Sequence, residues 1–490
     1  MQSSFVLIII AAYFGALMLV SYLTGKKGSD NDTFFRANKQ SPWYLVAIAM
    51  VGTSISGVTF ISVPGWVRHT DMTYMQMVLG FFAGYLVIAY VLLPLYYRLN
   101  LTTIYGYLNQ RYGKKSYKTG AWFFLISKIV GAAARLYLVA FILQKLVFDA
   151  WGVPFVITVI GIIIIIWLYS NKSGIKTIIW TDSLQAIMFI TALTLILWQV
   201  AHKLDLNLGG MVSAISESPH SRIFVFDDWA SKQHFVKQFL SGMFITIVMT
   251  GLDQDMMQKN LTIRTLKDAQ KNVITYGFAF IPINLLFLSL GVLLLLFANH
   301  NGITLPEVSD NILPFIASQH LGSVAFIIFI IGIVAAAFSS ADSALAALTT
   351  SFCVDILGMK SSDDLSVQKK NIKIRRKAHI GISLVFIIII LIIEAIGSDS
   401  IIDAIYKLAS YTYGPLLGLY FCGLYTKLQP IDKYIPYVAI GAPLLCFAFE
   451  VIMMQFFSYK VGYELLLING ALTAMGIWIL SKKRKNYPHS

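Results

Sequence analysis

The chain has 490 residues, 57% hydrophobic and only 13% charged, a balance that excludes a water-soluble globule. Its net charge of +14 does not point to nucleic acid. The basic residues sit in short connectors between apolar runs, with no aromatic–basic interleaving and no nucleic-acid motif. Many of these runs are about 20 residues long, enough to cross a bilayer, so the expected fold class is an all-α polytopic membrane protein embedded in a lipid bilayer.

Thirteen spans are predicted, at 5–23, 43–66, 73–97, 119–147, 153–170, 177–201, 238–256, 272–297, 321–351, 378–397, 401–426, 433–457 and 462–480. The first run, Phe5 to Leu23, has no basic leader and a poor cleavage context, so it reads as a retained helix. The connectors after the odd-numbered spans carry most of the Lys and Arg, including Lys26-Lys27, Lys114-Lys115, Lys369-Lys370 and Arg375-Arg376-Lys377. The tail Lys482-Lys483-Arg484-Lys485 lies on the same side. This bias places that side in the cytoplasm of a plasma (inner) membrane, with the N-terminus outside and the C-terminus inside. The longest outer connectors, 202–237 and 298–320, are poor in basic residues, as the orientation requires. The tail leaves no room for a soluble catalytic or signalling domain. The runs Ile160–Ile166 and Ile387–Ile393 are expected to face lipid or the bundle core. Spans two to six and seven to eleven form two groups of five, and an odd number per repeat inverts the second copy.

The polar residues inside these runs carry the functional reading. The second span contains Gly52-Thr53-Ser54-Ile55-Ser56-Gly57-Val58-Thr59, poor material for a continuous helix. It suits either a close-packing face or a break whose freed carbonyls, at Gly52 and Ile55, turn toward an ion or solute. Arg135 lies mid-span in the fourth run. A guanidinium there is costly and its fork suits a carboxylate, either an internal one such as Asp182 or Asp342, or one on an anionic solute. Lys128, two turns earlier, reads instead as a snorkelling side chain. Asp182 stands near the start of the sixth span, as an interfacial helix charge or a site residue. The seventh span ends in Asp253-Gln254-Asp255-Met256-Met257-Gln258-Lys259, an inner gate or a helix end reaching water. In the ninth span, Ala335-Ala336-Ala337-Phe338-Ser339-Ser340-Ala341-Asp342-Ser343 puts Ser339, Asp342 and Ser343 on one helix face. That oxygen-rich face suits a small hard cation, although small-residue faces also serve helix packing. The cysteines Cys353, Cys422 and Cys446 fall in or beside apolar runs without ligand spacing and read as reduced thiols. The eight histidines are scattered, and no nucleophile–base or metal-ligand spacing emerges, so an enzyme is not expected.

Four of these stretches together resemble the sodium/solute symporter family: Thr53 to Phe60, Trp180-Thr181-Asp182-Ser183-Leu184-Gln185, Asp253 to Lys259, and Ala335 to Ser343 followed by Ser351-Phe352-Cys353-Val354-Asp355. The resemblance implies a LeuT-type core of two inverted five-helix repeats. Residues 1–42 would then form an extra helix and its connector, 43–426 the transporter core, and 427–490 two peripheral helices with the basic tail. It implies a main sodium (Na+) site of the Gly52, Ile55 and Ala336 carbonyls with the Ser339 and Ser340 hydroxyls. It implies a second sodium site at Asp182, Ser339, Asp342 and Ser343, although bacterial sialic acid transporters, which the chain most resembles, carry a serine where Asp342 stands. Ser56, Thr59 and Arg135 match substrate positions of those transporters, while a glutamine of their pocket is Val78 here. The expected partners are therefore sodium ions and a small organic solute, an organic anion such as sialic acid. The alternatives are a neutral sugar or other small solute, or a membrane sensor that binds without transporting. The sequence sets no oligomeric state.

Overall fold

The structure is a computed structural model, described for residues 3–24, 31–170, 174–359, 364–396, 401–459 and 461–481. Lys26, Lys27 and the basic tail from Lys482 to Lys485 lie outside the described residues. Among the described residues the fold is helical with no strand. In chain order the main helices are α1 (Ser3–Thr24), α2 (Trp43–Ser54), α3 (Gly57–Thr70), α4 (Tyr74–Arg98), α5 (Lys114–Trp151), α6 (Phe155–Ser170), α7 (Ile175–Lys203), α8 (Phe235–Gly251), α9 (Gln254–Asn260), α10 (Leu266–His300), α11 (Ser323–Ile356), α12 (Leu365–Ile396), α13 (Ile401–Tyr425), α14 (Ile435–Phe457) and α15 (Leu465–Ile479).

Among the described residues, seven helices are long and apolar enough to cross a membrane, and up to nine if each bent pair is one span. That measure does not reach the predicted thirteen. The shorter apolar helices Ile8–Thr24, Phe155–Ser170 and Leu465–Ile479, together with α13, fall where the sequence places the remaining four. Several helices outrun their predicted spans. α5 starts at Lys114 and α12 at Leu365 because their basic first turns continue the helix beyond the apolar run.

The two bent pairs define the architecture. α2 and α3 meet at 61°, and α8 and α9 at 69°. The first break is made by Ile55 and Ser56, both extended (φ −88°, ψ 93° and φ −83°, ψ 170°). The second follows a wide turn at Ile247–Gly251 and restarts at Asp253, whose side chain caps α9 by accepting from the Asp255 and Met256 amides. Each break opens one of the two groups of five helices seen in the sequence. A break strands backbone amides and carbonyls, which inside a membrane is tolerated only where protein or a cavity satisfies them.

The helices around the breaks pack closely through small residues. α7 lies against α11 and α2, α8 against α4, and α11 against α5. Gly52 shows why: a Cβ there would stand 2.7 Å from the Asp182 carbonyl and 3.0 Å from Ser339 Oγ, so only glycine lets the three helices converge. Toward the outside of the bundle the polarity inverts. Along α12, Ile380, Leu384, Ile388, Ile392 and Ile396 form an exposed stripe at helical spacing while Phe386 and Ile390 are buried. α14 is more exposed still, with Tyr437, Ile440, Leu444 and Phe447 uncovered. Such faces are stable against lipid, not water. The predicted outer connectors pack onto the helix ends: Gln76 of α4 bonds the Val225 amide (3.1 Å) and the Gln233 carbonyl (2.8 Å), and Arg68 donates to the Pro306 carbonyl (2.6 Å).

Candidate functional site

The break between α2 and α3 faces the polar stretch of α11. Ser340 Oγ, buried, lies 3.1 Å from the Thr53 carbonyl and 3.3 Å from the Ala336 carbonyl. Gly52 and Ser339 are in contact beside it, and Ile55 is buried at the break itself. Ser340 Oγ thus meets one carbonyl from each of α2 and α11, with Ser339 and Gly52 packed beside it, an oxygen-rich set suited to a small hard cation.

A second group of atoms surrounds Asp182 on α7, which is fully buried. Its Oδ1 accepts from Ser339 Oγ (2.9 Å); its Oδ2 accepts from Thr53 Oγ1 (3.0 Å) and from Lys259 Nζ (2.6 Å). Lys259, on α9, is also fully buried and donates to the Thr53 hydroxyl as well. The two neighbouring carboxylates on α9 and its cap share a second ammonium. Lys128 of α5 stands 2.8 Å from Asp255 and 3.2 Å from Asp253, and Tyr413 of α13 donates to Asp253 (2.6 Å). Buried pairs of this kind are held by mutual compensation, and removing one partner costs about 3–5 kcal/mol. Asp342 is different. Its Oδ1 accepts from the Ser343 amide (2.6 Å), while Oδ2 has no hydrogen-bond partner among the described residues, nor has the nearby Tyr169 hydroxyl of α6. Ser343 turns its hydroxyl to the Asp255 carboxylate.

Beyond the break lies a cavity of about 960 Å³ of empty space, part of it open to solvent. Ser56 and Thr59 of α3, Lys128 and Arg135 of α5, Asp253, Phe81, Tyr276 and Tyr413 line it. Arg135 is half-buried and makes no ion pair or hydrogen bond among the described residues. A larger cavity sits above it, bounded by Trp66, Tyr74, Lys237, Glu307, Lys407 and Glu450. Adjacent residues of α13, Ala409 and Ser410, line the lower and the upper cavity respectively, so this helix forms part of the partition between them.

The structure therefore brings Gly52, Ala336, Ser339, Ser340 and Asp182 together and sets Ser56, Thr59 and Arg135 around one cavity. It does not converge Asp182, Ser339, Asp342 and Ser343 on one point, because Lys259 and Asp255 claim Asp182 and Ser343. Neither Asp182 nor Asp342 pairs with Arg135. Lys128 does not snorkel; it is buried between two carboxylates. The stretch Asp253–Lys259 is a buried half-helix rather than a helix end in water. Lys259 was the residue missed in the sequence. The available signal was its position four residues after Asp255, which puts both on one face of a short helix. Asp355, at the end of α11, accepts from Tyr117 (2.8 Å), Ser351 (2.6 Å) and Thr103 and closes the packing on the predicted cytoplasmic side.

Comparison with known proteins adds a second line of argument. Residues 34–429 match the family model described as the sodium:solute symporter family. The sodium/sialic acid symporter NanT of Aliivibrio fischeri is 26% identical over 471 residues, covering 94% of this chain and 91% of that protein. The sodium/sialic acid symporter SiaT of Proteus mirabilis is 25% identical over 481 residues, covering 95% and 94%. Among solved structures, a substrate-bound, outward-open Na+-coupled sialic acid symporter superposes with a TM-score of 0.82 at 20% identity, over 97% of this chain and 98% of that one. A nucleobase-cation-symport-1 family transporter in a closed conformation does so with a TM-score of 0.59 at 13% identity, over 92% and 94%.

Proposed function

The chain belongs to the sodium:solute symporter family, and from that premise we propose that it imports an organic anion of the sialic acid class with sodium, by alternating access. The observation that carries the anion is Arg135, a guanidinium on the cavity wall with no internal carboxylate against it. A cation held at membrane depth is costly unless paired. A solute carboxylate completes it bidentately, in a geometry that a neutral sugar cannot supply. Ser56 and Thr59, lining the same cavity, are placed to hold the hydroxyl groups of such a solute. The two sialic acid symporters that align over nearly the whole chain support the same class of cargo.

Sodium is the co-transported cargo. In this reading the Ser339 and Ser340 hydroxyls and the carbonyls of Gly52, Ile55 and Ala336 hold it, joined by the Thr53 carbonyl that Ser340 already touches. A sodium there links the broken α2–α3 pair to α11. Because Ser56 is part of the break and Thr59 stands in the first turn after it, ordering the break orders these cavity residues. Each ligand then raises the affinity of the other by the same factor. The core runs from 43 to 426, with 1–42 and 427–490 peripheral. The N-terminus is outside the plasma (inner) membrane and the C-terminus in the cytoplasm.

The test is uptake of labelled N-acetylneuraminate into proteoliposomes, with sodium or choline outside. Uptake that requires sodium and is lost in Arg135→Gln is expected. Equal uptake in choline would refute the coupling, and an unaltered solute KM in Arg135→Gln would refute the anion contact.

A further inference from the structure

We infer that the Lys259 ammonium is a built-in cation holding the place of a second sodium at Asp182, so that the chain takes up one sodium with each solute. The inference rests on the sodium-coupled reading above and extends it to the ion count. The resemblance implies a second sodium among Asp182, Ser339, Asp342 and Ser343. The residues present do not fit that ion.

Lys259 Nζ lies 2.6 Å from Asp182 Oδ2, with both side chains fully buried. The same oxygen accepts from Thr53 at 3.0 Å, and the other carboxylate oxygen accepts from Ser339 at 2.9 Å. Asp182 has thus spent its negative charge on an ammonium that cannot diffuse away. A sodium on this carboxylate would sit against that ammonium in a low-dielectric interior, where like charges repel strongly. Of the remaining expected ligands, Ser343 gives its hydroxyl to Asp255, and Asp342 turns one oxygen to the Ser343 amide while its other oxygen has no hydrogen-bond partner among the described residues.

The tether performs the linking that a bound ion would perform. Lys259 belongs to α9, the half-helix after the second break, and its ammonium reaches Thr53 at the end of α2 and Asp182 on α7. It therefore joins both broken pairs to a continuous helix. A sodium at this place is released in each cycle, whereas an ammonium on the chain stays. The structural bridge remains while the ion count drops by one.

The inference is tested by counting sodium on the purified full-length protein by ²²Na⁺ binding in detergent, without solute. Wild type is expected to bind one sodium per chain with a Hill coefficient near 1. Lys259→Met, which keeps an unbranched side chain one atom shorter and removes its charge, is expected to bind two, and its melting temperature to rise with sodium more steeply than that of wild type. Lys259→Arg, which keeps a cation, is expected to stay at one. A wild-type count of two overturns the inference, and so does a folded Lys259→Met protein that still binds one. If Lys259→Met does not fold, the wild-type and Lys259→Arg counts decide. A wild-type count of zero sinks the sodium-coupled reading itself, and this inference with it.

Discussion

Ser340 shows how much a single hydroxyl carries. It touches the carbonyls of both helices that the proposed sodium would join, Thr53 on α2 and Ala336 on α11. Ser340→Ala removes one ligand without leaving a buried donor unpaired. The loss is that of one ligand to a charged group, about 1.5–3 kcal/mol, so the sodium concentration for half-maximal uptake is expected to rise by roughly ten-fold or more. An unaltered sodium dependence in proteoliposomes would remove Ser340 from the site. At this scale legibility followed contrast. Ser339, Ser340, Asp182 and Arg135 stand out because they interrupt apolar runs, and the structure gathers them around the break and its cavity. Lys259 does not stand out, because a lysine at the end of a span is what the positive-inside bias supplies anyway. Only tertiary packing shows that it points into the protein. The same holds for Lys128, whose long stem fits equally well to snorkelling until Asp253 and Asp255 are seen beside it.

Among elements, the first helix break was visible in the sequence and the second was not. Gly52, Gly57 and the hydroxyls between them lower helix propensity enough to suggest a discontinuity. In the seventh span the apolar run simply stops near Gly251, and Asp253 looks like the residue that ends a helix in water. Instead it is buried and starts a new helix as its cap. A cap has the same composition at either kind of boundary, so sequence alone does not tell a restart inside the membrane from an exit. Helix lengths escaped for a related reason. Hydropathy marks where a helix is in lipid, not where its hydrogen bonds end, and so α5 and α12 continue into basic turns that were assigned to connectors. The sequence groups the core into five and five from the order and number of its apolar runs, and the structure puts a helix break in the first span of each group. The two breaks give each group the same opening element.

Over the whole molecule, the proposed orientation has a direct check. The cysteines Cys353, Cys422 and Cys446 are free and buried, so the native protein gives little background with a membrane-impermeant thiol reagent. Ala230 and Lys267 are both exposed, the first in a predicted outer connector and the second in a predicted inner one. Ala230→Cys is expected to label in intact cells and Lys267→Cys only after the membrane is opened. The reverse pattern would invert the topology.

The ammonium of Lys259 also bears on what energy the carrier draws upon. One sodium moving with one monovalent anion transfers no net charge, whereas two sodiums would transfer one. Each transferred charge would add about 2.3 kcal/mol per 100 mV of membrane potential. A chain that keeps its second cation on a lysine thus gives up the voltage and runs on the sodium gradient alone. Uptake into proteoliposomes clamped with potassium and valinomycin is expected to be the same at zero and at inside-negative potential. Acceleration by the negative potential would mean that more than one sodium crosses with each solute.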